Sequence, residues 1–369
     1  MSRPQGPPPD LAVFLPSLAG GGAERVMLDL IQAALEQGRS VELVLASRHG
    51  AFSDQVPDGA SVVDLGRART LTALPGLVAY LRRRRPTALL ATLEHANTVA
   101  LMAARLARYP KVSVREANTV SRDLVGGSLR SRAVLWLMRR LYRRAHAVIA
   151  VSRGVADDLV ATLPLPTERV RVIPNPVITP RLERLAQEPL EHPWFAPGEP
   201  PVVLGVGRLT EQKGFDALIE AFARARERRT CRLVLLGEGE ARGDLERLAV
   251  ALGVEQEVAM PGFVDNPFPY MARAGAFALS SRWEGLPNVL IQALALGAPA
   301  VASDCPSGPA EVLQGSQRAV LVRVEDTLAL ADGIVTALAA GRGSQDEAWR
   351  ARYQVGPIAQ RYLEAVGAC

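Results

Sequence analysis

The pair Arg208 and Lys213 has the residue types needed to hold an anionic group. Both follow the apolar run Val202–Val206, which is typical of a buried parallel strand. Ligands of parallel sheets bind at the carboxyl ends of the strands, where a guanidinium and an ammonium can grip a diphosphate. The alternative is that the two cations are solvated surface charges.

Glycines mark three places where backbone N–H groups can approach a ligand. Gly207 ends the predicted strand before Arg208, and the next predicted strand runs into Gly237 and Gly239, so two adjacent loops could surround one nucleotide. Residues 20–22 are three consecutive glycines at the entry to a predicted helix, whose free N–H groups attract anions. The loop at residues 20–22 matches neither standard phosphate-loop pattern. A plain turn is the alternative there and at Gly237 and Gly239.

Glu284 lies in the segment richest in chemical signals. A predicted strand ends at Ser280, a loop carries Glu284 and Gly285, and a helix begins at Pro287 or Asn288. A carboxylate accepts hydrogen bonds from hydroxyls while backbone N–H groups donate to sugar oxygens, so this loop suits a polyhydroxylated ligand. The alternative is an acid that only stabilises the helix dipole.

The elements that must position these residues alternate along the chain. A strand at 11–15, a helix at 24–36 and a strand at 41–46 form a βαβ opening, and a second series of the same kind starts at 202–206. This alternation predicts an α/β protein with two doubly wound, Rossmann-like domains.

Domain limits follow from a change in composition. Eight prolines between residues 174 and 201 interrupt any sustained periodicity. We predict an N-terminal domain at 1–180, a proline-rich linker at 181–200 and a C-terminal domain at 201–345. The remainder, about 346–369, belongs to a long predicted helix from about 344 to 366 that packs back on the first domain.

Composition narrows the class of protein. The 369 residues are 48% hydrophobic and 22% charged, which excludes a disordered, collagenous or coiled-coil protein. A net charge of +5 favours anionic partners. The three cysteines are far apart in the sequence, so no disulfide framework is predicted. The sequence also has no cluster of residues with the spacing of a metal site. The polar, proline-rich start and the absence of an apolar run near ~20 residues predict a cytoplasmic protein.

Motifs spread over most of the chain carry a family resemblance: GGGAERV, AVSRGVADDL, VIPNPV, GVGRLTEQKGFDALIEAFA, LLGEGE, SSRWEGLPNVLIQALALGAP and SDCPSGPAEVL. Together they resemble the retaining GT-B glycosyltransferases of glycosyltransferase family 4. The resemblance implies two Rossmann-like domains facing a central cleft. The first would bind the acceptor and the second a nucleotide-activated sugar, which is a substrate, with neither metal nor cofactor.

The resemblance also implies a role for each candidate residue. Arg208 and Lys213 would hold the donor diphosphate, and Glu284 the donor sugar. Gly21 and Gly22 would close over the phosphates from the first domain. The other positions expected to bind the donor are Gly207, Gly237, Gly239, Gly285, Leu286, Pro287, Asn288 and Val289.

Gln292 departs from the family pattern. The family places a second glutamate eight residues after the first to hold the ribose hydroxyls, so the change to Gln292 removes a charge and bears on donor affinity or base choice. On the acceptor side, where some members have a histidine, this chain offers Arg115 and Glu116, with His95 nearby in sequence. We expect Glu116 near the acceptor, unless it forms a structural ion pair.

A predicted amphipathic helix within residues 129–146 is a candidate for contact with a membrane surface. Its apolar face would carry Val134, Leu137, Met138 and Leu141. Its other face would carry Arg132, Trp136, Arg139, Arg140 and Arg143, a combination typical of the interface with an anionic membrane. The alternative is a surface helix with one exposed aromatic. The arginine run 82–85 adds charge that suits a lipid-diphosphate acceptor at the cytoplasmic leaflet. Nucleic-acid motifs are missing.

These features predict an enzyme that moves a hexose or N-acetylhexosamine from a nucleotide sugar, by resemblance UDP-linked, to a glycan or lipid-linked glycan. Retention of the anomeric configuration and a role in cell-surface polysaccharide or glycoconjugate synthesis are part of this expectation. One alternative is a non-catalytic nucleotide-sugar-binding partner subunit, which Gln292 favours and Arg208, Lys213 and Glu284 oppose. An NAD-dependent dehydrogenase is disfavoured because its glycine fingerprint is absent.

Overall fold

The computed structural model of the chain describes residues 6–123 and 129–369, which divide into two compact units. The first unit runs to Pro176 and also includes Gln354–Cys369, and the second is Val177–Tyr353. Each is built around one parallel sheet. The prediction of two Rossmann-like domains is therefore confirmed.

Seven parallel strands form the sheet of the first unit, in the order β3-β2-β1-β4-β5-β6-β7. They are β1 (Leu11–Leu15), β2 (Val41–Leu45), β3 (Ser61–Asp64), β4 (Ala88–Thr92), β5 (Val112–Glu116), β6 (Val148–Ala150) and β7 (Val170–Val172). The central strands are buried along their whole length, which explains their continuous apolar runs. The helices are α1 (Gly22–Glu36), α2 (Leu74–Arg84), α3 (Glu94–Ala107), α4 (Val120–Asp123), α5 (Leu129–Leu141) and α6 (Arg153–Thr162).

Six parallel strands form the sheet of the second unit, in the order β10-β9-β8-β11-β12-β13. They are β8 (Val202–Val206), β9 (Arg232–Leu236), β10 (Val258–Gly262), β11 (Ala276–Leu279), β12 (Ala300–Ser303) and β13 (Ala319–Val322). The helices are α7 (Pro180–Ala186), α8 (Phe215–Arg228), α9 (Arg242–Ala251), α10 (Phe268–Arg273), α11 (Asn288–Ala295), α12 (Pro309–Leu313), α13 (Thr327–Ala340) and α14 (Glu347–Ala351). Phe215 and Phe222 of α8 pack into the core beneath this sheet.

The predicted linker at 181–200 has structure of its own. It contains most of α7 and a 3₁₀ turn at Pro193–Phe195, and it falls within the second unit. The ring of His192 lies 5.5 Å from that of Trp194 and 6.0 Å from that of Tyr270, and the guanidinium of Arg232 lies over Trp194. Aromatic packing therefore attaches this proline-rich segment to the second unit.

The long helix predicted at about 344–366 is instead two helices, α14 and α15 (Val355–Val366). Pro357 explains the break, because proline lacks an N–H and is tolerated only in the first turn of a helix. α15 packs on α1 within the first unit. Arg361 donates to the carbonyl of Val172 at 2.8 Å, and the hydroxyl of Tyr362 accepts a hydrogen bond from Arg115 at 3.2 Å.

Candidate active site

The sheet of the second unit has a topological switch point between β8 and β11, where the strand order reverses direction. The chain leaves β8 towards β9 on one side and leaves β11 towards β12 on the other. The connections that follow β8 and β11 run to opposite sides of the sheet, so a crevice is expected at the carboxyl edge between these strands, where open α/β sheets bind ligands. Lys213 lies in the first loop and Glu284 in the second.

An ion pair joins these two loops across the crevice. The Lys213 Nζ lies 2.6 Å from Oε1 of Glu284, and the hydroxyl of Ser281 donates to the same oxygen at 2.6 Å. The side chains of Lys213 and Glu284 are only 19% and 8% exposed, so the pair is largely withdrawn from water. No described residue donates to the second carboxylate oxygen, Oε2, which leaves one oxygen held and one available to a ligand.

Small residues allow the lysine to reach the glutamate. A Cβ at Gly207 would lie 3.2 Å from three carbons of the Lys213 side chain, so the missing side chain makes room for the lysine stem. Gly214 has a φ of +58°, and a Cβ there would lie 2.3 Å from the carbonyl oxygen of Ser280. Ser280 in turn donates through its hydroxyl to the carbonyl of Lys213 at 2.8 Å.

Further hydrogen bonds fix the two loops to each other. The side-chain amide of Gln212 donates to the carbonyl of Trp283 at 2.9 Å, and the backbone N–H of Arg282 donates to the carbonyl of Gln212 at 2.8 Å. Arg282 also pairs with Asp216 of α8 at 2.7 Å and with Glu325 at 2.8 Å. The hydrogen bond to Asp216 raises the pKa of the Arg282 guanidinium. Sequence reasoning missed this anchor, because nothing local identifies its two acidic partners.

The other predicted cation, Arg208, is exposed and pairs with no described residue. Its loop packs against the loop that follows β9. A Cβ at Gly237 would lie 1.9 Å from the carbonyl oxygen of Gly207, and one at Gly239 would lie 2.2 Å from that of Leu209. Gly237 and Gly239 thus have a packing reason of their own, and their contact with a nucleotide remains a prediction.

The loop from Gly285 to Val289 is supported by the segment that follows β12. Ser307 donates through its hydroxyl to the carbonyl of Gly285 at 2.9 Å. Gly308 has a φ of +98°, and a Cβ there would lie 2.7 Å from Cδ of Pro287. Leu286 is buried below this loop. The CPSGP motif therefore acts, at least in part, by holding the glutamate loop in place.

Helix α11 presents its first turn to the same region. Asn288 is its first residue, and Gln292 lies half-buried one turn further on. At the other end, Arg342 donates to the carbonyl of Leu296 at 2.5 Å and Arg350 to that of Ala295 at 2.8 Å. Because these arginines satisfy carbonyls that a helix end leaves open, they fix the C-terminal end of α11.

Cys305 lies near the charged side chains of Glu284 and Lys213 and interacts with both electrostatically. Burial raises the pKa of its thiol to about 12, and the neighbouring Glu284 carboxylate adds to the shift. The thiol is therefore protonated at neutral pH and is a poor nucleophile. Over residues 6–123 and 129–369, no group of three or more His, Cys, Asp or Glu side chains is placed to hold a metal ion.

In the first unit, Glu116 is enclosed by the fold. The residue is 4% exposed and accepts hydrogen bonds from Asn97 at 2.9 Å and from Tyr142. Its neighbour Arg115 is fully buried and donates to Thr92 at 2.8 Å and to Asn175 at 2.5 Å. These hydrogen bonds make Glu116 part of a buried polar network, and its contact with the acceptor stays a prediction.

His95, by contrast, borders a cavity. It lies in the first turn of α3, beside an opening of about 860 Å³. Apolar and small residues from three segments line most of this cavity: Ala68, Leu71, Val99, Met102, Ala133, Val134 and Leu137. Arg69, Thr70 and Thr98 supply its polar atoms together with His95.

The glycines of the first loop begin helix α1. Gly21 is the residue before the helix and supplies no side-chain cap, and Gly22 is its first residue. A Cβ at Gly21 would lie 2.5 Å from Oε2 of Glu24. The space beside Gly21, predicted to face phosphates, thus contains a carboxylate.

Helix α5 has the predicted amphipathic pattern in its described part. Met138 and Leu141 are buried, whereas Trp136 is 59% exposed with the guanidinium of Arg140 5.2 Å from its ring centre. Arg139 donates to the carbonyl of Thr162 at 3.1 Å, and Arg143 is exposed. The side chains of 123–131 lie outside the described residues.

The arginine run 82–85 is partly used within the fold. Arg84 pairs with Glu42 at 2.5 Å and also donates to the carbonyl of Pro7, and Arg82 donates to the carbonyl of Leu106. These bonds place the run at the amino edge of the sheet, opposite the loops that follow its strands. In the part of the chain that the structure describes, no helix is both long and apolar enough to cross a membrane.

Comparison with known families covers both halves of the chain. Residues 20–181 match the family described as Glycosyltransferase Family 4, and residues 200–340 match the one described as Glycosyl transferases group 1. The two matched ranges contain the GGGAERV loop and the ion pair of Lys213 with Glu284, respectively.

Two relatives match over most of their length. N-acetylgalactosamine-N,N'-diacetylbacillosaminyl-diphospho-undecaprenol 4-alpha-N-acetylgalactosaminyltransferase of Campylobacter jejuni is 29% identical over 338 residues, 89% of this chain and 90% of that protein. The lipopolysaccharide core biosynthesis glycosyltransferase LpsE of Rhizobium meliloti is 29% identical over 325 residues, 85% of this chain and 84% of that protein.

A solved structure supports the fold over nearly the whole chain. Anabaena Alr3699/HepE in complex with UDP-glucose superposes with a TM-score of 0.78 at 23% identity, covering 97% of this chain and 99% of that one. Since two family models match consecutive halves and the fold agrees from end to end, the chain belongs to the GT-B glycosyltransferases of glycosyltransferase family 4.

Proposed function

We propose that this glycosyltransferase moves a hexose or N-acetylhexosamine from a UDP-sugar to a glycan or lipid-linked glycan, with retention of the anomeric configuration. The observation that carries the proposal is the pair of Lys213 and Glu284 across the crevice of the second unit, 2.6 Å apart. It places a cation and a carboxylate with one unoccupied oxygen at the edge of the sheet where a nucleotide sugar would lie.

The chemistry assigned to these residues follows from the charges that develop during transfer. The bond between the anomeric carbon and the diphosphate oxygen breaks, and negative charge grows on the leaving UDP. Lys213, with the exposed Arg208, would stabilise that charge. Oε2 of Glu284 would accept a hydrogen bond from a hydroxyl of the sugar. The acceptor oxygen bonds to the anomeric carbon, and its proton passes to the departing diphosphate.

The choice of donor and acceptor is supported by the relatives. The Campylobacter jejuni relative is named for transfer of N-acetylgalactosamine to a diphospho-undecaprenol-linked acceptor, and LpsE for lipopolysaccharide core biosynthesis. The Anabaena structure is a complex with UDP-glucose. The names of the two relatives support an acceptor in cell-surface polysaccharide or glycoconjugate synthesis, and the Anabaena complex supports UDP as the nucleotide.

Turnover separates this proposal from a non-catalytic nucleotide-sugar-binding subunit. We would incubate the purified chain with UDP-glucose, UDP-galactose, UDP-GlcNAc and UDP-GalNAc and measure release of UDP with and without glycosyl-diphospho-undecaprenol acceptors. We expect release with one or more donors, and the α-linked product would be identified by NMR. UDP binding without release from any donor would instead support the binding subunit.

Metal independence is part of the same test. Lys213 and Arg208 can supply the positive charge that a metal ion supplies elsewhere, so we expect EDTA to leave the rate unchanged. Complete loss of activity in EDTA with recovery in Mn²⁺ would contradict this assignment of charge.

Contact with an anionic membrane is a second part of the proposal, carried by the exposed Trp136. A tryptophan stacked with Arg140 and followed by exposed Arg143 is typical of a membrane-interface helix. We expect W136A combined with R140A and R143A to reduce binding to phosphatidylglycerol vesicles, and not to affect UDP binding. Arg139 is kept because it bonds within the fold.

The control removes a similar surface from the second unit. V250A combined with R247A and R224A deletes one exposed apolar residue and two exposed arginines there. Equal losses of vesicle binding for the two triple variants would indicate a net-charge effect, and absence of binding by the wild type at moderate salt would reject the membrane contact.

A further inference from the structure

The first unit contains the same kind of reversal as the second, between β1 and β4. The chain leaves β1 through α1 towards β2 and leaves β4 through α3 towards β5. The first turns of α1 and α3 therefore flank a crevice at the carboxyl edge of this sheet as well. Glu24 lies in the first turn of α1, and His95 in the first turn of α3.

Glu24 is a carboxylate that the fold buries without satisfying. The residue is 9% exposed, yet its side chain makes no hydrogen bond or ion pair with any described residue. Neither carboxylate oxygen of Glu24 is completely enclosed by protein, so a ligand can still reach them. Burying an acceptor without a partner costs free energy, which a native fold tolerates where a ligand supplies the missing hydrogen bond.

The backbone around Glu24 is shaped to keep the carboxylate in place. Oε2 lies 2.5 Å from the position that a Cβ would take at Gly21, so any larger residue there would displace it. The amino end of α1 favours a negative charge at this point. The glycine loop thus directs the carboxylate of Glu24 towards the carboxyl edge of the sheet.

The local charge indicates which ligand fits. The adjacent cation, Arg25, is engaged elsewhere, with its guanidinium 4.0 Å from the ring centre of Phe52 and a hydrogen bond to Gln55. With Arg25 engaged in this way, the carboxylate itself repels phosphate groups. Its best ligand is a neutral hydrogen-bond donor, and a sugar hydroxyl is such a donor.

We propose that Glu24 is an acceptor-binding residue, whose carboxylate accepts a hydrogen bond from a hydroxyl of the acceptor glycan in the crevice between β1 and β4. This inference rests on the proposed transferase function and deepens it by naming a group that selects the acceptor. It also gives Gly21 a role different from contact with donor phosphates.

The test uses E24Q, which keeps the size of the side chain and its capacity to cap a helix while removing the charge. The probes are glycosyl-diphospho-undecaprenols and octyl glycosides of glucose, galactose, GlcNAc and GalNAc. We expect the acceptor KM to rise roughly ten- to hundredfold, because a charge-assisted hydrogen bond becomes a weak neutral one. The Kd for UDP should stay unchanged. E36Q, at the exposed far end of the same helix, is the matched control.

A second variant tests the geometry without changing the acid. G21A adds the methyl group that would meet Oε2 of Glu24, at a φ of −81° that alanine adopts without strain. We expect G21A to raise the acceptor KM as E24Q does, and the double variant to be no worse than either single one. That non-additivity is a signature of one shared interaction.

Several outcomes would overturn the inference. An unchanged acceptor KM in E24Q, with or without a lower melting temperature, would make Glu24 only a structural residue. A weaker UDP affinity in G21A with an unchanged acceptor KM would assign the loop to the donor phosphates. Failure of the proposed function is distinguishable, since then the wild type itself would transfer no sugar from any UDP donor to any probe.

Discussion

The two crevices of this chain share a topology and differ in how their acids are held. Each lies at the point where the strand order of its sheet reverses direction. In the second unit this point is between β8 and β11, and in the first unit it is between β1 and β4. In the second unit Glu284 is bound by Lys213 and Ser281, whereas in the first unit Glu24 pairs with no described residue.

This difference teaches what each crevice is prepared to bind. The lysine next to Glu284 compensates the carboxylate and provides positive charge for a diphosphate, so one site can hold both an anion and a sugar. Glu24 offers only an acceptor of hydrogen bonds. The same fold therefore presents one edge suited to a charged donor and another suited to a neutral, hydroxyl-rich molecule.

The largest effect is expected from E284Q. The change removes the charge from the oxygen that we assign to the donor sugar and leaves Lys213 without its partner. Turnover should fall by roughly 10²- to 10³-fold, the range found when one group that stabilises a transition state is removed. Steady-state kinetics with the active UDP-sugar measures this.

Its control is E240Q, an exposed acid in the neighbouring loop of the same unit. A rate for E284Q within tenfold of the wild type would remove the distinction between the two crevices, because Glu284 would then be as dispensable as a surface acid.

K213M should have the next largest effect, on turnover and on stability together. Lys213 is mostly buried, so its loss leaves the Glu284 carboxylate buried and unpaired. Breaking such a pair costs about 3 kcal/mol in the free energy of unfolding, and turnover should fall about a hundredfold. The double variant K213M/E284Q should regain most of the stability without regaining activity, measured by urea unfolding and by the transfer assay.

The chain supplies a close control for this lysine. Lys111 and Lys213 are its only two lysines, and Lys111 is exposed in the first unit. K111M should therefore change neither quantity. If K213M unfolded no more easily than K111M, the ion pair would contribute nothing to the second crevice, contrary to its geometry.

E116Q sharpens the comparison within the first unit, where two buried acids differ in their partners. Glu116 accepts from Asn97 and Tyr142, and Glu24 from no described residue. Replacing charged hydrogen bonds by neutral ones should lower the free energy of unfolding of E116Q by about 1–2 kcal/mol and leave the acceptor KM unchanged. A raised acceptor KM at unchanged stability would return Glu116 to the acceptor site.

The sequence predicts the fold well because buried parallel strands leave a clear signal. The strands expected at 11–15, 41–46 and 202–206 are present as β1, β2 and β8, because a continuous apolar run is typical of a parallel strand that is buried on both faces. The edge strand β13 is half-exposed and leaves a weaker pattern. The break between α14 and α15 was missed although Gly356 and Pro357 signal it, because the amphipathic pattern continues on both sides.

The candidate site was predictable in kind but not in its contacts. Lys213 and Glu284 were identified separately, from their places after two strands. Their direct pairing depends on β8 and β11 being neighbours, which two residues 71 positions apart in the sequence do not reveal. Glu24 was missed for a different reason, since an acid in a first helical turn is common and only the absence of a partner distinguishes it.

The smallest effect is expected at Gln292, where the chain departs from its family. A glutamate there could accept from both ribose hydroxyls, and such charged bonds are worth roughly 1.5–3 kcal/mol against about 1 for neutral ones. Gln292 accepts through its carbonyl and can donate through its amide to the second hydroxyl oxygen. It also avoids repulsion with a nearby diphosphate, so the gain and the loss partly cancel.

We therefore expect Q292E to change the donor Kd by at most about tenfold, or ~1.4 kcal/mol. Titration with UDP-sugar and the transfer rate measure the two consequences, and Q314E adds the same charge at an exposed position of the same unit as a control. Gln292 is half-buried in a helix whose C-terminal end is held by Arg342 and Arg350, so the new carboxylate would stay beside the first turn rather than move away. An inert wild type that becomes an active transferase through Q292E would show that the natural second crevice binds its donor without turning it over. Glu284, paired with Lys213, would then belong to a binding site only, and the protein would function as a non-catalytic subunit.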